Sequence, residues 1–250
     1  MIVLKTSREL AAMRNAGRIA ATARKLAGEA VEVGVSTWEI DRIVRQYIEK
    51  MGATPSFLGY DGFPASACIS LNNEVIHGIP SKSRKLKEGD IVSIDIGAFY
   101  EGFHGDCAWT FPCGKISEDA QRLLDATKES MFKGIEAAKV GNRVGDIGSA
   151  VQTYVEARNY SVVREFVGHG VGAKLHEEPS VPNYGTPSRG VRLLPGMTIA
   201  IEPMVNIGKC GVKVLPDGWT TVTTDGSLSA HFENSIAITA DGPVILTVPE

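Results

Sequence analysis

Asp95, Asp106, His169, Glu202 and Glu233 each lie in an apolar or glycine-rich stretch, where a polar group left unpaired is expensive to bury. Asp95 sits in Ile91-Val92-Ser93-Ile94-Asp95-Ile96-Gly97, a run with the β-branched content of a strand and with turn-forming Gly89-Asp90 ahead of it. Asp106 lies in the next run, beyond Tyr100-Glu101-Gly102. With Tyr100 and Glu101 at the tip of a two-residue hairpin, the two aspartates face each other directly. Opposed side chains on one face have Cβ atoms ~4.5–5.5 Å apart. Two carboxylates that close are destabilising unless one is protonated or a cation lies between them. The competing reading is an exposed hairpin with solvated aspartates, and the isoleucines on either side of Asp95 argue against it.

The second half supplies further ligand types. His169 is set in Phe166-Val167-Gly168-His169-Gly170-Val171-Gly172, where the flanking glycines are expected to let the backbone approach a ligand or metal without a Cβ in the way. Glu202 ends the strand-like run Met197-Thr198-Ile199-Ala200-Ile201, and Glu233 precedes Ser235-Ile236-Ala237-Ile238. Either glutamate alone would read as an edge or turn residue. Four carboxylates and one imidazole make a hard, oxygen-rich set that suits two ions of Co, Mn, Fe or Zn. Two divalent ions offset the four negative charges.

The segment Phe166-x-Gly168-His169-Gly170-Val171-Gly172-x-x-x-His176-x-x-x-x-Val181-x-Asn183-Tyr184, with His176-Glu177-Glu178-Pro179 inside it, resembles the signature of the type I methionine aminopeptidases in their bacterial form. The five ligand candidates match that family in type, order and spacing, over essentially the whole chain. The resemblance implies an α+β, pita-bread fold of two pseudo-twofold halves and the removal of N-terminal methionine when the second residue is small. It implies that Asp106 and Glu233 bridge two metals, that Asp95 binds one, and that His169 and Glu202 bind the other, with Glu202 also taking a proton from the nucleophilic water. His77, in Asn72-Asn73-Glu74-Val75-Ile76-His77-Gly78-Ile79-Pro80, and His176 are implied to hydrogen-bond the scissile amide and the developing oxyanion. The implied methionine pocket comprises Tyr60, Phe63, Cys68, His77, Leu175 and Trp219, beside His176. Asn72 and Ser229 match positions lining a monovalent-cation site (Na or K) in some relatives. Leu175 stands where phenylalanine is usual, Phe57 where cysteine is frequent and Phe63 where tyrosine is frequent, which alters pocket shape but keeps an apolar lining.

Around these residues, a chain of 250 with 43% hydrophobic content can bury a full core, and one catalytic domain over 1–250 is expected. A net charge of −3 and a pI near 6.0 give no basic footprint, so nucleic acid is not expected as a direct substrate. Charges in Met1-Ile2-Val3-Leu4-Lys5-Thr6-Ser7-Arg8-Glu9 fall where a secretory apolar core would run, and no stretch approaches the ~20 apolar residues of a membrane helix. Cys68, Cys107, Cys113 and Cys210 lack paired zinc spacing and fit free thiols in a reducing compartment. These features fit a cytoplasmic protein with no membrane segment, and the resemblance implies a monomer that acts on nascent N-termini with transient ribosome contact.

Thr6 with Glu9 and Ser36 with Glu39 have capping-box spacing ahead of helical patterns. Ile40, Ile43, Val44, Tyr47, Ile48 and Met51 form the clearer stripe, which Gly52 can end. A shift of 107 positions carries Val33-Gly34 onto Val140-Gly141, Ile40 onto Ile147, Val44 onto Val151, Tyr47 onto Tyr154 and Glu49 onto Glu156. Two related halves are therefore expected, each opening with two helices, the second from near Ser117. Proline-specific aminopeptidases would share the fold and the five ligands but usually carry a sizeable domain ahead of the residue matching Asp95. Catalytically dead modules of this fold, which bind peptides, histones or RNA, have typically lost ligands. Type II methionine aminopeptidases carry a helical insertion for which the segment from His169 to Glu202 has no room.

Overall fold

Helix α1 (Ser7–Glu29) begins where a side chain replaces the missing backbone acceptors of its first turn. In the computed structural model, which describes residues 1–250, Thr6 Oγ1 accepts from Glu9 N at 3.4 Å while Glu9 accepts from Thr6 N at 2.7 Å. Helix α2 (Thr37–Lys50) repeats the device with Ser36 and Glu39. It buries Ile40, Val44 and Ile48, and the chain leaves it at Gly52, φ +73°. Strands β1 (Thr54–Pro55), β2 (Ala67–Leu71), β3 (Glu74–Ile76), β4 (Ile91–Tyr100) and β5 (Phe103–Pro112) come next.

The second half opens with α3 (Glu118–Ala137) and α4 (Val144–Glu156), then β6 (Ser161–Val162), β7 (Gly168–Gly170), β8 (Glu177–Val181) and β9 (Thr198–Ile201). It continues through β10 (Met204–Asn206), β11 (Val212–Val214), β12 (Thr221–Thr223), β13 (Ser229–His231), β14 (Asn234–Thr239) and β15 (Gly242–Ile245). All strand pairs are antiparallel. β4 carries β1, β2 and β5 in the first half, and β15-β14-β9-β7-β8 form the main sheet of the second. This is the expected α+β pita-bread architecture.

The internal repeat extends well beyond the helices. Gly34 and Gly141 have φ of +91° and +95°, and Gly89 and Gly196 both have +89°. Ser36 bridges Lys85 as Arg143 bridges Arg192, and Leu86 N donates to Val35 O as Leu193 N does to Asn142 O, both at 2.8 Å. The same shift places Glu202 where Asp95 stands.

Each half has its own core. Ile19, Ala23, Ile40, Val44 and Ile48 of α1 and α2 pack on Ile69, Ile94 and Ile96, while Leu123, Met131, Ile147 and Val151 of α3 and α4 pack on Ile199, Ile201 and Ile236. Each of the larger of these side chains contributes about 1.5–3 kcal/mol by leaving water. Strand alternation then decides where the carboxylates go. Ile94 and Ile96 face the helices and Asp95 faces away, and Cys107 joins the helix-side core while Asp106 turns to the opposite face. The halves are stitched there by Glu233 N donating to Ala108 O at 2.8 Å and Ser235 Oγ donating to Asp106 O at 2.7 Å.

Two local expectations need correction. The β4–β5 turn is Glu101-Gly102, with φ of +51° and +86°, so Tyr100 pairs with Phe103, Gly97 with Asp106 and Asp95 with Ala108. Both turn positions require positive φ, and glycine takes the second without strain. The slip from the expected register is two residues, an even number, so both aspartates stay on one face but stand diagonally, where Cβ atoms are nearer ~7–8 Å apart. The glycines around His169 serve strand packing and not ligand approach: a Cβ on Gly168 would run into the Ala200 carbonyl and one on Gly170 into the Glu178 carbonyl.

Candidate metal centre and substrate pocket

The ligand atoms of Asp106, His169 and Glu233 lie within 4.8 Å of one another. Asp106 and Glu233 are only 3% and 2% exposed. Glu202 reaches in from the end of β9, with Oε1 3.5 Å from His169 Nε2, and Asp106 Oδ2 is 3.7 Å from the same nitrogen. Asp95 faces the same cavity from β4. His169 Nδ1 donates to Gly170 O at 2.8 Å. That fixes the tautomer with the Nε2 lone pair turned toward the carboxylates, as a metal-binding imidazole requires.

The electrostatics are those of a cation site. Burial, with Glu202 adding repulsion and the nearby His231 opposing, pushes the Asp95 carboxyl up to about 7. Burial takes Glu202 to about 7 as well. Asp106 and Glu233 are driven well above the usual carboxylate range, first by burial and then by the neighbouring carboxylates. Burial also holds His169 below its ordinary value, so its approaches to Asp106 and Glu202 are contacts of a neutral ring and not ion pairs. Asp95 Oδ1, Asp106 Oδ1 and Glu233 Oε1 are buried without any hydrogen-bond partner. Native structures seldom leave such atoms unsatisfied, and divalent cations would both occupy these oxygens and remove the repulsion. The residues present therefore fit divalent metal.

The carboxylates form one wall of a cavity of about 240 Å³. Every ligand, histidine and pocket residue singled out from the sequence lines it: Tyr60, Phe63, Cys68, His77, Asp95, Asp106, His169, Leu175, His176, Glu202, Trp219 and Glu233. Its apolar end is a cluster of Phe57, Phe63, Ala65, Cys68 and Leu175, with Trp219 against it. The Phe63 and Trp219 rings meet edge to face at 5.1 Å. Cys68 is placed by pairing with Asp95 across β2 and β4. Tyr60 is a rim residue, 38% exposed, with its hydroxyl hydrogen-bonded to His176 Nδ1 at 2.7 Å. The His176 ring stands edge-on to His169 at 4.3 Å. His77 is held at a positive φ of +59° between Phe166 and Trp219, and burial lowers it to about 4. Both His77 and His176 are thus neutral hydrogen-bonding groups near pH 7.

Phe57, read from the sequence as a departure that alters pocket shape, lines the cavity. Sequence reading misses two neighbours of this site, and one of them, Asp61, also lines the cavity. His231 lies behind it, 3.6 Å from Glu202 Oε2. No local pattern marks His231: β13 ends at it, and the chain is irregular through Phe232 and Glu233, so no strand period links it to Glu233.

Residues 11–240 match the model of metallopeptidase family M24. The chain is 57% identical to the methionine aminopeptidase of Clostridium perfringens and 56% identical to methionine aminopeptidase 1 of Bacillus subtilis, covering 99% of each chain in both cases. The crystal structure of the Thermotoga maritima methionine aminopeptidase superposes with a TM-score of 0.97 at 45% identity, over 99% of both chains. Family, fold and buried carboxylates agree, and the chain belongs to the M24 metallopeptidases.

Proposed function

We infer that the protein is a metal-dependent aminopeptidase that removes the N-terminal methionine from nascent proteins and peptides when the second residue is small. The observation that carries this reading is a nest of buried, unpartnered carboxylate oxygens around His169 forming one wall of an apolar, thioether-sized pocket. Asp106 and Glu233 would each serve both ions, Asp95 one of them, and His169 with Glu202 the other. When bound, two divalent ions activate water near neutral pH and polarise the peptide carbonyl. Mn, Fe, Co and Zn all suit the donor set.

The chain's own groups do the rest. Glu202 accepts the proton of the attacking water at a carboxylate oxygen. Tyr60 donates its hydroxyl hydrogen to His176 Nδ1, which leaves His176 Nε2–H as the donor to the developing oxyanion, and His77 holds the scissile amide. The substrate's free ammonium lies against the carboxylates, which restricts cleavage to the chain terminus. Phe57, Phe63, Cys68, Leu175 and Trp219 take the methionine side chain, whose flexible thioether suits aromatic and sulfur neighbours. A monovalent cation, Na or K, would lie near Asn72 and Ser229, where Ser229 Oγ is buried without a partner. The chain works as one catalytic unit, a cytoplasmic monomer that meets its substrates during transient contact with the ribosome, with neither membrane nor nucleic acid as substrate. No helix is long and apolar enough to cross a membrane.

A competition assay tests the reading. Protein loaded with each metal is offered Met-Ala-Ser, norleucine-Ala-Ser, Met-Lys-Ser, Lys-Ala-Ser and Ala-Pro-Ser. Met-Ala-Ser and the norleucine peptide should be cut, since a hydrophobic pocket discriminates by only ~1–3 kcal/mol per methylene, and Met-Lys-Ser poorly. Preference for Ala-Pro-Ser would move the protein to the proline-specific enzymes, and no cleavage with any metal would leave a peptide-binding module.

A further inference from the structure

Behind the cavity, on β13, His231 is 1% exposed and neither of its ring nitrogens has a hydrogen-bond partner. Its backbone is pinned on both sides by Thr110, whose Oγ1 accepts from His231 N at 3.0 Å and donates to His231 O at 2.8 Å. β13 is further fixed by pairing with β10, Met204 opposite His231. The ring is therefore held in place by the main chain, with its polar edge unused. The nearest carboxylate is Glu202, whose Oε2 is 3.6 Å from His231 Nε2 while its Oε1 is 3.5 Å from His169 Nε2. Glu202 thus lies between two imidazoles, one facing each oxygen.

The two imidazoles are not equivalent. His169 spends Nδ1 on Gly170 O and turns Nε2 toward the ligand cluster. His231 does not line the cavity and belongs to no ligand cluster. A buried ring with no partner forfeits the hydrogen bonds it made to water, and a short closure onto the Glu202 carboxylate would recover one of them. A carboxylate that binds metal through one oxygen characteristically receives a hydrogen bond on the other.

We propose that His231 is a positioning residue for Glu202: its Nε2–H donates to Glu202 Oε2 and so directs Oε1 to the ion shared with His169. This rests on Glu202 being a metal ligand, as inferred above. Its consequence is that His231 sets the affinity of that one ion without touching substrate.

The test is metal binding, read apart from turnover. Wild type, His231→Gln, His231→Leu and His231→Met are stripped of metal and titrated with Co(II) by calorimetry, and the visible Co(II) spectrum is recorded at each equivalent. Circular dichroism checks that each variant is folded. The wild type should take two ions; an empty wild type would overturn the metal centre itself. His231→Leu and His231→Met, which fill the space without a donor, should bind one of the two ions ~10–100-fold more weakly with an altered spectrum. His231→Gln, which keeps an N–H, should restore most of that affinity. Either apolar variant, folded and binding both ions with wild-type affinity and spectrum, would overturn the proposal. So would equal weakening in the Gln, Leu and Met variants, because that pattern marks a packing role.

Discussion

The two halves of the molecule share a scaffold but divide the chemistry. In both, a left-handed glycine leads into the second helix and a second one precedes the central strand, and that strand delivers an acidic residue to the midline: Asp95 in one half, Glu202 in the other. Beyond the central strand the halves diverge. β4 returns through a two-residue turn to Asp106, whereas β9 is separated from Glu233 and β14 by the excursion β10–β13, which brings in Trp219 and His231. The first half contributes Phe57, Phe63 and Cys68 to the apolar end of the cavity and His77 beside it, and the second contributes Leu175 and Trp219 to that end and His169 and His176 to the rest of the lining. Duplication accounts for the frame and the matched carboxylates; divergence accounts for the imidazoles and most of the substrate wall.

Substituting the matched acids separates their roles most strongly. On the roles proposed above, Asp95→Asn should weaken one ion, and excess metal should restore much of its activity. Glu202→Gln should also lose the proposed acceptor for the water proton, a contribution typically of ~10²–10⁴-fold in rate, so its kcat should stay at least ~100-fold low at saturating metal. Activity against metal concentration decides it: recovery of Glu202→Gln to within a few-fold of wild type would remove the proton role. Complete chelation should abolish turnover in all three proteins.

The halves also differ in how tightly helix meets strand. A Cβ on Gly105 of β5 would collide with the backbone of α1 at Ala16 and Gly17, which cannot yield without moving the helix. In α3 a Cβ on Gly134 meets only methyls, Val151 Cγ2 at 2.9 Å and Ile201 Cγ2 at 3.1 Å. Gly105→Ala should therefore lower unfolding free energy by about 2–3 kcal/mol. Gly134→Ala should fall within ~1 kcal/mol of wild type, because helix propensity favours alanine by about 1 kcal/mol. Urea unfolding of the metal-loaded proteins measures both.

Much of the frame and of the site is legible in the sequence. The capping boxes at Thr6 and Ser36, the stripe along α2, the repeat and the shared face of Asp95 and Asp106 come from periodicity and local chemistry. The hairpin tip reads one residue early because the left-handed tolerance of Gly102 competes with a turn centred on Tyr100 and Glu101, and only pairing along the whole of β4 and β5 decides between them. Gly168 and Gly170 read as ligand clearance because the backbones crowding them, from β8 and β9, come from later in the chain. His231 escapes notice for a related reason: nothing local marks it, and it gains meaning only when β13 pairs with β10 behind Glu202.

His77 has no imidazole counterpart in the other half: the repeat's shift lands on Tyr184. Because burial lowers its folded pKa to about 4 from an ordinary value near 6.5, the unfolded chain binds the extra proton first as pH falls. Its contribution to stability is complete above pH ~6.5 and is lost on acidification toward pH 4. Between pH 7 and pH 5 this single group should account for about 1–2 kcal/mol of the fall in stability. His77→Gln should flatten that fall, as measured by urea titrations at the two pH values. An identical slope in wild type and variant would mean that the ring protonates in the folded protein as easily as in the unfolded one.

The smallest expected difference lies at the starts of α2 and α4, which occupy equivalent positions but are capped differently. Ser36 Oγ accepts from Glu39 N at 3.3 Å and donates to Glu39 Oε2 at 2.7 Å in a half-buried setting. At α4 the N-cap position is Arg143, whose side chain makes no capping bond, and Asp146 Oδ2 accepts instead from the Arg143 backbone N at 2.7 Å. That bond survives any substitution of the Arg143 side chain. Ser36→Ala removes a true N-cap and should destabilise by about 1 kcal/mol, within the usual ~0.5–2 kcal/mol. Arg143→Ala loses only an exposed hydrogen bond to Gly190 O and should change stability by less than ~0.5 kcal/mol. Paired thermal melts resolve the two cases. Equal losses would show that the arginine at the start of α4 holds its half together by some means other than the cap, and the second half would then owe more to side-chain contacts across the Gly190 loop than to its helix terminus.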